Sequence, residues 1–549
     1  MGKTTTVGGY LIQRLQELGV KHVFGVPGDY VLGFYDMLVE SDLETVGTCT
    51  EAGAGFAADA YARVNGLGVA CVTYCVGGLN TVNSVAGAYA EKAPLIVISG
   101  APGLDERERS PLLHHKVRDF NTQRLIFEKV TVAATAIEDA VSAPKLIDET
   151  LAACLRHKRP VYIELPRDVV EQPCAAPVPR KRKRLKSDAA VLTEAVGEAT
   201  AMLRAAKRPV ILAGVEIHRF GLQDDLLALV ERSGYPIAAT LLGKSVITEN
   251  HPQYLGIYEG AMGREDVCRT VERADCVVIL GAFMTDINLG IYTAKLDVSK
   301  TINGTSEQIA IKHHSYDGIR LKHFIEGLTK AKIGPKRTMP KKRAPNARSF
   351  RAQPSRAITV RRFFARMNEF LDDDTVVICD IGDSLFGAAD LTIRRRTEFL
   401  SPAYYTSMGY AVPAALGAQM NKKRLRPAVF VGDGAFQMTG QELSTIAAQG
   451  LNPIIFVLNN KGYSTERFID DGPYNDIHDW AFEKWPEMLR TGWGCEVGTE
   501  GELEEALVRA KENKKAFSIL NVHLDPYDRS HAMERLGKRL GERLGSKKK

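Results

Sequence analysis

Apolar and polar residues follow two patterns along this chain. Segments such as Tyr10–Leu18 place apolar residues at helical spacing, and short continuous apolar runs between such segments predict buried strands. Because short buried strands that alternate with helices are typical of parallel sheets covered on both faces, the pattern predicts an α/β fold of doubly wound parallel-sheet domains. The predicted strands are His22–Phe24, Gly68–Thr73, Leu95–Ser99, Pro160–Glu164, Pro209–Ala213, Pro236–Ala239, Cys276–Leu280, Thr375–Cys379, Pro427–Val431, Pro453–Leu458 and Phe517–Val522.

The same pattern recurs in each third of the chain. At 549 residues the chain exceeds the size of a single core, and ordinary domain sizes favour about three domains. Two basic, proline-containing segments separate the thirds. We therefore predict an N-terminal domain over residues 1–178, a central domain over residues 190–332 and a C-terminal domain over residues 356–549.

The net charge of +6 changes this picture little. Much of it lies in three short runs, Lys181–Lys186, Lys336–Arg343 and Lys547–Lys549. Such runs in linkers and tails are usually solvated, and no aromatic residues interleave with the charges as they do on many nucleic-acid-binding surfaces. No nucleic-acid partner is therefore expected.

The nine cysteines show neither paired spacing nor a Cys-x-x-Cys motif. Cys71 and Cys75 lie in an apolar, glycine-rich stretch and are predicted to be buried free thiols. An odd cysteine count in a large chain favours a reducing compartment. No apolar segment reaches the roughly 18 residues that a membrane span needs. The start, Met1–Thr6, formally fits a myristoylation pattern, but the first helix is predicted from Thr6, so we expect an unlipidated cytoplasmic protein.

The strongest chemical signal is a strand that ends at Gly432-Asp433-Gly434, followed by a helix predicted over Thr439–Gln449. Free N–H groups and the helix dipole favour phosphate where a strand's carboxyl end meets a helix amino terminus. Glycine allows close approach of the backbone to a ligand, and the Asp433 carboxylate could contact a divalent cation. A lone Gly-Asp-Gly is often only a turn.

A second strand ends in Asn459-Asn460-Lys461-Gly462, at a distance along the chain that accommodates one helix and a return to a neighbouring strand. Both strand ends would then meet in one crevice, where open α/β sheets bind ligands. Oxygen ligands together with a diphosphate suit Mg²⁺. The pairing of the two strand ends makes a chance turn much less plausible than a cation and diphosphate site.

The motif Gly432-Asp433-Gly434 followed by Asn459-Asn460 resembles the thiamine-diphosphate motif shared by pyruvate decarboxylase, acetolactate synthase and their relatives. The resemblance covers essentially the whole chain, including the three-domain pattern. It implies that the side chains of Asp433 and Asn460 and the backbone carbonyl of Gly462 hold Mg²⁺. It also implies that thiamine diphosphate bridges the first and last domains of two subunits, in a homodimer or homotetramer.

Other cofactor contacts are implied by the same resemblance. Glu51, in the string Thr50-Glu51-Ala52-Gly53-Ala54-Gly55, matches the family glutamate, a buried carboxyl that activates the aminopyrimidine. Taken alone, Glu51 could be an ordinary acid at a helix start. Met408 matches the apolar residue that props the cofactor into its bent form, which brings its reacting groups together. The remaining implied cofactor contacts are the carbonyl of Thr406, the backbone of Gly434 and Ala435, and Ser384.

Four further residues select a branch of this family. Asp29, His114, His115 and Glu466 stand in segments that resemble those of pyruvate and indolepyruvate decarboxylases. The resemblance implies that Asp29 and Glu466 transfer protons and handle the substrate carboxylate, and that His114 and His115 orient the intermediate. Which group protonates the enamine stays open, because such groups titrate as a coupled set. Individually, Asp29 could be a helix N-cap, His114 and His115 could be surface loop histidines, and Glu466 could be an ordinary helix acid.

The chain also departs from the family pattern. Asp383 stands where many decarboxylases have threonine, and an acid close to the diphosphate would be repulsive unless it points away or the geometry differs. Ala435 replaces a common serine beside the diphosphate, which leaves only backbone N–H groups there. Thr465 stands where an aliphatic residue often lines the substrate pocket, so the preferred side chain of the 2-oxo acid stays open.

The sequence therefore predicts non-oxidative decarboxylation of a small-molecule 2-oxo acid to an aldehyde and CO₂ through a thiamine-diphosphate enamine. The alternative enzyme is a carboligase of the acetolactate synthase type, which lacks the His-His pair. A regulatory nucleotide-binding role for the central third is a different class of function. No Gly-x-Gly-x-x-Gly fingerprint opens that domain, since Leu212–Glu216 contains a single glycine. An inactive homologue is the remaining alternative.

Overall fold

The computed structural model describes residues 4–178, 186–333, 350–394, 399–421 and 425–536. The three basic runs lie outside these residues, apart from Lys186. The described chain forms three large sheets, one in each third, and a small antiparallel pair of strands, β1 (Thr4–Thr6) and β8 (Pro173–Ala175). The predicted fold class is confirmed, while the exact domain limits stay predictions.

The N-terminal sheet has six parallel strands in the order β3-β2-β4-β5-β7-β6. Every strand predicted in this third is present, and the two that the sequence pattern missed are the short edge strands. The strands are β2 His22–Val26, β3 Glu44–Gly47, β4 Gly68–Val72, β5 Leu95–Ala101, β6 Ala134–Ala136 and β7 Val161–Pro166.

The central sheet has seven strands in the order β11-β10-β9-β12-β13-β14-β15. The first five strands in this order pair in parallel. The last two, β14 and β15, pair antiparallel and form one edge of the sheet, which the prediction of a parallel sheet did not include. The strands are β9 Pro209–Ala213, β10 Ile237–Ala239, β11 Tyr254–Ile257, β12 Cys276–Leu280, β13 Thr301–Gly304, β14 Ile309–Ile311 and β15 His314–Tyr316.

The C-terminal sheet has six parallel strands in the order β17-β16-β18-β19-β21-β20. Its four central strands are the predicted ones, within a residue at each end. The strands are β16 Thr375–Cys379, β17 Phe399–Leu400, β18 Arg426–Gly432, β19 Ile454–Asn459, β20 Trp493–Val497 and β21 Ser518–His523.

Helices connect the strands throughout. Those of the N-terminal third are α1 Val7–Glu17, α2 Leu32–Val39, α3 Glu51–Asn65, α4 Val76–Asn80, α5 Val82–Ala90, α6 Leu104–Arg107, α7 Thr122–Phe127 and α8 Ala143–His157. Those of the central third are α9 Ala189–Ala205, α10 Glu216–Arg219, α11 Gln223–Ser233, α12 Glu265–Glu272 and α13 Leu321–Lys330. Those of the last third are α14 Val360–Phe370, α15 Asp383–Ala389, α16 Ala411–Gln419, α17 Asp433–Thr439, α18 Leu443–Ala448, α19 Ser464–Ile469, α20 Trp485–Leu489 and α21 Glu500–Glu512. Residues 531–536 are also helical.

The prediction of one helix over Thr439–Gln449 is wrong at its start. The helix α17 begins directly at Asp433, and a 3₁₀ turn over Gly440–Glu442 separates it from α18. Glycine has low helix propensity, which accounts for the break at Gly440. The carboxyl end of β18 therefore enters a helix without an intervening loop.

Each sheet has a core on both faces because successive residues of a strand point in opposite directions. In β4, Val69 and Cys71 face a core with α1 and α8, whereas Ala70 and Val72 face a core that contains α3 and α16. The latter core also takes side chains from the C-terminal sheet, so it joins the first and last thirds of the chain.

Two sequence expectations about environment can be checked in the described chain. Cys71 and Cys75 are buried free thiols, as predicted. Among the described residues, no helix combines the length and the apolarity needed to cross a bilayer.

Candidate active site

Three neighbouring strands of the C-terminal sheet end at one crevice. β18 pairs in parallel with β16 on one side and with β19 on the other, so their carboxyl ends, Cys379, Gly432 and Asn459, lie at the same edge of the sheet. This is where open α/β sheets bind ligands. A cavity of about 430 Å³ opens there.

The cavity collects all the site residues predicted in the last third of the chain. Thr465, predicted to line a substrate pocket, lies on its wall as well. The predicted residues that line it are Ser384, Thr406, Met408, Asp433, Gly434, Ala435, Asn460, Gly462 and Glu466.

Asp433 is the first residue of α17 and is 2% exposed. Its carboxylate accepts hydrogen bonds from the backbone N–H of Gly434 at 2.7 Å and from that of Gly462 at 3.2 Å. Burial raises the pKa of the Asp433 carboxyl to about 6, although these backbone donors favour the charged form. The two strand ends are thus tied together through this one carboxylate.

Asn460 supplies the observation that tests whether a metal fits. Its side-chain oxygen Oδ1 is buried and has no hydrogen-bond partner among the described residues. A buried polar atom without a partner is costly, so an unmet oxygen next to a carboxylate marks a place for a cation. Gly462 is required here, since a Cβ at this position would lie 2.1 Å from the backbone oxygen of Asn475. The donor set, a carboxylate and an amide oxygen, suits Mg²⁺ and a diphosphate.

The loop with Thr406 and Met408 is held by Asp380, a residue to which the sequence analysis gave no role. Asp380 is fully buried at the end of β16, and its carboxylate accepts hydrogen bonds from the backbone of Gly409 at 3.2 Å and Ala411 at 2.9 Å. Burial raises the pKa of Asp380 to about 6. Thr406 adopts a left-handed backbone with φ of 57°. The cavity wall that includes Met408 is therefore fixed to the sheet.

Asp383, the acid expected to disturb the diphosphate, lines the cavity, but both its carboxylate oxygens accept hydrogen bonds from Ser530. Of the two options that the sequence left open, the structure supports a side chain that points to another partner. Ser384, the next residue, is buried, and Ala435 is 4% exposed.

A second group of predicted residues lies in the N-terminal domain. The Nε2 atom of His114 is 2.8 Å from Oδ2 of Asp29, and its ring stacks on Tyr30 with centroids 4.7 Å apart. The His115 ring meets that of His114 at 4.8 Å, and its backbone has φ of 65°. Asp29 and His114 are exposed, while His115 is half-buried with an Nδ1 atom that lacks a partner among the described residues.

Glu51 begins α3, whose preceding residue Thr50 caps it by accepting a hydrogen bond from the backbone N–H of Gly53 at 3.0 Å. The Glu51 carboxylate accepts a hydrogen bond from Asn80 Nδ2 at 2.7 Å. Glu51 is half-buried in this single chain, so the expectation of a buried carboxyl is not met within it. The reason is geometric, because none of the described elements covers this side chain fully.

The chain does not bring its two groups of site residues together. None of Asp29, Glu51, His114 and His115 lines the cavity at the strand ends. The two domains are nevertheless tightly joined, since a Cβ at Gly417 of α16 would lie 1.9 Å from the backbone oxygen of Ala57 in α3. The N-terminal group is therefore held in place away from the cavity.

Glu442 also joins the two domains and was missed by sequence reasoning. It is fully buried, and its carboxylate accepts hydrogen bonds from the backbone of Cys49 at 3.1 Å and of Thr50 at 3.0 Å, next to Glu51. Burial raises its pKa. A glutamate within a helical stretch carries no local signal of such a role.

The apolar part of the cavity was also missed. It is lined by Ile287 and Ile291 of the central domain and by Leu536 near the end of the described chain. Isolated apolar residues in distant segments show no motif, so only the folded arrangement reveals them.

Models of three domain families match successive parts of the chain. The N-terminal TPP binding domain of thiamine pyrophosphate enzymes matches residues 5–123, the central domain matches residues 196–317, and the C-terminal TPP binding domain matches residues 380–522. Together they span most of the chain, and each contains most strands of one of the three sheets.

Full-length relatives agree with the domain matches. A probable pyruvate decarboxylase of Schizosaccharomyces pombe is 34% identical, over 98% of this chain and 97% of its own length. An indole-3-pyruvate decarboxylase of Azospirillum brasilense is 34% identical over 93% of this chain and 94% of its own. An alpha-keto-acid decarboxylase of Mycobacterium leprae is 34% identical over 95% and 93%.

The chain belongs to the thiamine pyrophosphate enzyme family. Within that family it is a member of the 2-oxo-acid decarboxylases that depend on thiamine diphosphate. The relatives named above all carry decarboxylase names, which leaves the carboligase alternative with less support.

Proposed function

We propose that this enzyme converts a 2-oxo acid to an aldehyde and CO₂ at a site built from two chains, with Mg²⁺ and thiamine diphosphate as cofactors. The observation that carries the cofactor site is the buried Oδ1 of Asn460, which has no partner among the described residues and belongs to the same cavity lining as the buried Asp433. When bound, thiamine diphosphate supplies a nucleophilic carbon and an electron sink for decarboxylation. The side chains of Asp433 and Asn460 and the carbonyl of Gly462 would hold Mg²⁺, with the diphosphate completing its shell.

The backbone N–H groups of Gly434 and Ala435 lie in the first turn of α17, where helical N–H groups lack intrahelical partners. The Ala435 N–H would donate to a phosphate oxygen, whereas the Gly434 N–H, which donates to Asp433 Oδ1, would share its proton between the carboxylate and the phosphate. Ser384 and the carbonyl of Thr406 would contact the cofactor from the other walls, and Met408 would hold it in its bent form. These assignments make the C-terminal cavity the cofactor-binding half of the site.

The N-terminal group would supply the proton-transfer chemistry. Glu51 would share a proton with the aminopyrimidine ring. Asp29 and His114 form a hydrogen-bonded pair that can pass a proton between carboxylate and imidazole, with His115 in ring contact. Glu466, exposed on the wall of the cavity, would handle the substrate carboxylate. A second chain that covers the N-terminal residues Asp29, His114 and His115 would remove them from water.

The proposal of a site between chains rests on the separation of the two groups within one chain. Because α3 is packed against α16 of the same chain, Glu51 is not free to reach its own cavity. A two-fold dimer that places Glu51 of one chain at the cavity of the other would complete two identical sites. A homodimer is the smallest such assembly, and a homotetramer would contain two of them. The cytoplasmic location stays a prediction.

Mixed dimers of two inactive variants test this arrangement. Glu51→Gln should reduce turnover by about 10²- to 10⁴-fold, the usual contribution of a general acid–base group. Asp433→Ala should abolish cofactor binding. Two chains with different affinity tags are co-expressed, and the doubly tagged dimer is purified and assayed for aldehyde formation with added thiamine diphosphate and Mg²⁺.

The mixed dimer contains one intact site if Glu51 and Asp433 of a site come from different chains. It should then recover about half of the wild-type turnover per dimer. Each variant dimer alone serves as the matched control. If the site lay within one chain, the mixed dimer would contain no intact site and would be as inactive as its parents.

A further inference from the structure

Asp383 is a buried acid, 7% exposed, whose role neither the fold nor the proposed cofactor contacts explain. Its Oδ1 atom accepts a hydrogen bond from the Ser530 hydroxyl at 2.5 Å, and its Oδ2 atom accepts one from the Ser530 backbone N–H at 3.1 Å. Burial raises the pKa of Asp383 to about 6, and the nearby Asp528 acts in the same direction. The Asp383 carboxylate is thus hydrogen-bonded to Ser530, near the C-terminal end of the described chain.

Ser530 directly precedes the helical residues 531–536. Its hydroxyl oxygen accepts a hydrogen bond from the backbone N–H of Met533 at 3.1 Å, which is the bond made by an N-cap residue. A serine hydroxyl has one proton to donate, and here that proton goes to Asp383. Asp383 therefore fixes the direction of the residue that starts this helical segment.

The helical segment forms part of the cavity wall. Ala532, Met533 and Leu536 are buried in a cluster with Met262 and Phe386. Leu536 also lines the cavity together with Ile287 and Ile291 of the central domain. The Arg535 side chain donates a hydrogen bond to the backbone oxygen of Met262, so the segment is attached to the central domain as well.

Asp383 is also the residue that connects this wall to the cofactor side of the cavity. It is the first residue of α15 and is followed by Ser384, one of the residues expected to contact thiamine diphosphate. Asp383 at one end of the polar link and Leu536 in the helical segment that the link reaches therefore both line the same cavity. A change in the link is expected to move the apolar wall.

Building on the decarboxylase function proposed above, we propose that Asp383 is a positioning residue for substrate selection. Through Ser530 it holds residues 531–536 as the apolar wall that contacts the side chain of the 2-oxo acid. The contribution of such a wall grows with the apolar surface of the substrate, because hydrophobic stabilisation scales with buried area. Asp383 would therefore act on selectivity between substrates rather than on the chemistry common to all of them.

The test compares kcat/KM for pyruvate, 4-methyl-2-oxopentanoate and phenylpyruvate in wild type, Asp383→Ala and Ser530→Ala. Loss of one well-packed apolar contact changes discrimination by about tenfold or more. We expect kcat/KM for the two larger acids, relative to that for pyruvate, to fall about tenfold in both variants. Asp383→Asn, which keeps an acceptor oxygen, should give a smaller change.

The link is tested further by the double variant and by hydrogen exchange. Asp383→Ala removes both hydrogen bonds between Asp383 and Ser530, whereas Ser530→Ala removes only the one from the hydroxyl. Because the two variants disrupt one shared link, the double variant should lose less selectivity than the product of the single losses. The amide hydrogen of Met533, which donates to the Ser530 hydroxyl, should exchange about tenfold faster in Ser530→Ala, and those of residues 530–533 should do so in Asp383→Ala. Should Asp383→Ala fail to fold, Ser530→Ala carries the test alone, since it removes the hydroxyl bond to Asp383 and the cap on the Met533 N–H while it keeps the backbone bond.

Glu500→Gln is the matched control. Glu500 is also a buried acid of the C-terminal domain, but it binds Arg362 and the backbone of Gln353 and does not line the cavity. Its substitution should leave the ratio of kcat/KM values unchanged even if it lowers stability. A similar change in selectivity in this control would attribute the effect to general destabilisation and would overturn the proposal.

Other outcomes also contradict the proposal. An equal loss for all three acids would mean that Asp383 acts on the common chemistry, and tighter binding of thiamine diphosphate in Asp383→Ala with unchanged selectivity would mean that the acid only repels the diphosphate. If wild type itself forms no aldehyde from any 2-oxo acid, the proposed function fails. If wild type turns over but selectivity is unaffected, only the role of Asp383 fails.

Discussion

The two groups of site residues differ in how the chain holds them. In the C-terminal domain, Asp433 is 2% exposed and is bound by backbone N–H groups from two neighbouring strand ends. In the N-terminal domain, the side chains of His114 and Asp29 are 57% and 43% exposed and contact mainly each other and Tyr30. One half is completed by the sheet of its own chain, and the other half presents polar groups on an open surface.

This difference is consistent with the division of chemistry proposed above. A metal and a diphosphate need preorganised oxygen atoms and N–H groups, which the ends of parallel strands supply. Proton-transfer groups need a low-dielectric setting that changes as substrate enters. Such a setting can be made by the approach of a second protein surface.

The largest expected effect concerns the preorganised half. Asp433→Ala removes the proposed cation ligand and the hydrogen bonds that join two strand ends. Because metal assistance is worth several kcal/mol, turnover should fall by more than about 10³-fold. Thiamine diphosphate with Mg²⁺ at a hundred times Kd should raise the free energy of unfolding of wild type by about 2.7 kcal/mol and that of the variant not at all. Thermal unfolding with and without the cofactors measures both.

Asp372→Ala is the control for this substitution. Asp372 precedes β16 at the opposite edge of the same sheet and does not line the cavity. Its variant should keep the full cofactor response. A cofactor response that survives in Asp433→Ala would remove the assignment of Asp433 as a metal ligand.

An intermediate effect is expected in the open half. Asp29→Asn and His114→Asn each break one side of a hydrogen-bonded pair, and each should lower kcat/KM by about 10²-fold or more. Because the two groups are in contact and are proposed to act together, the double variant should lose far less than the product of the single losses, with a coupling of about 0.5–3 kcal/mol. Steady-state rates of aldehyde formation for the four proteins give this coupling.

The exposed ion pair of Arg264 and Asp266 in the central domain provides the control for the Asp29 and His114 variants. Asp266→Asn should leave kcat/KM unchanged and should be additive with Asp29→Asn. Strictly additive losses for Asp29 and His114 would show that the two act independently, contrary to their 2.8 Å contact.

The smallest effect is expected for a substitution in the C-terminal cavity, the half of the site proposed to bind the cofactor. Ala435→Ser adds a hydroxyl in the first turn of α17, beside the N–H groups proposed to bind the diphosphate. One added hydrogen bond contributes about 0.5–1.5 kcal/mol, so thiamine diphosphate should bind about twofold to twelvefold more tightly. Calorimetric titration measures the change. Ala448→Ser on α18, which does not line the cavity, should leave the affinity as it is, and weaker binding in Ala435→Ser would contradict the placement of the diphosphate.

The sequence predicted the parts of the fold that have continuous buried strands. In the C-terminal sheet, β16, β18, β19 and β21 have long apolar runs and were predicted to within a residue. The edge strands β17 and β20 were not, because an edge strand is short or half-exposed and is fixed by pairing rather than by its own apolar pattern. The antiparallel edge of the central sheet was missed for the same reason.

The candidate site divides in the same way. Residues carried by motifs, such as Asp433 and Asn460, were found from sequence because the resemblance fixes their place. Ile287 and Leu536 line the same cavity from distant segments and were missed. The contact between Asp383 and Ser530 was also beyond sequence reasoning, since 147 positions separate the two residues. Long-range packing carries no signature in a single sequence.

Glu442 has a consequence for domain exchange. Its carboxylate holds Cys49 and Thr50 across a separation of up to 393 positions, so the start of α3 depends on a residue of another domain. A chimera that takes its first domain from one decarboxylase and its last from another must preserve this contact. Without a matching acid, two backbone N–H groups next to Glu51 lose their acceptor. Recombination between relatives is therefore constrained at Glu442 as well as at the residues that touch the substrate.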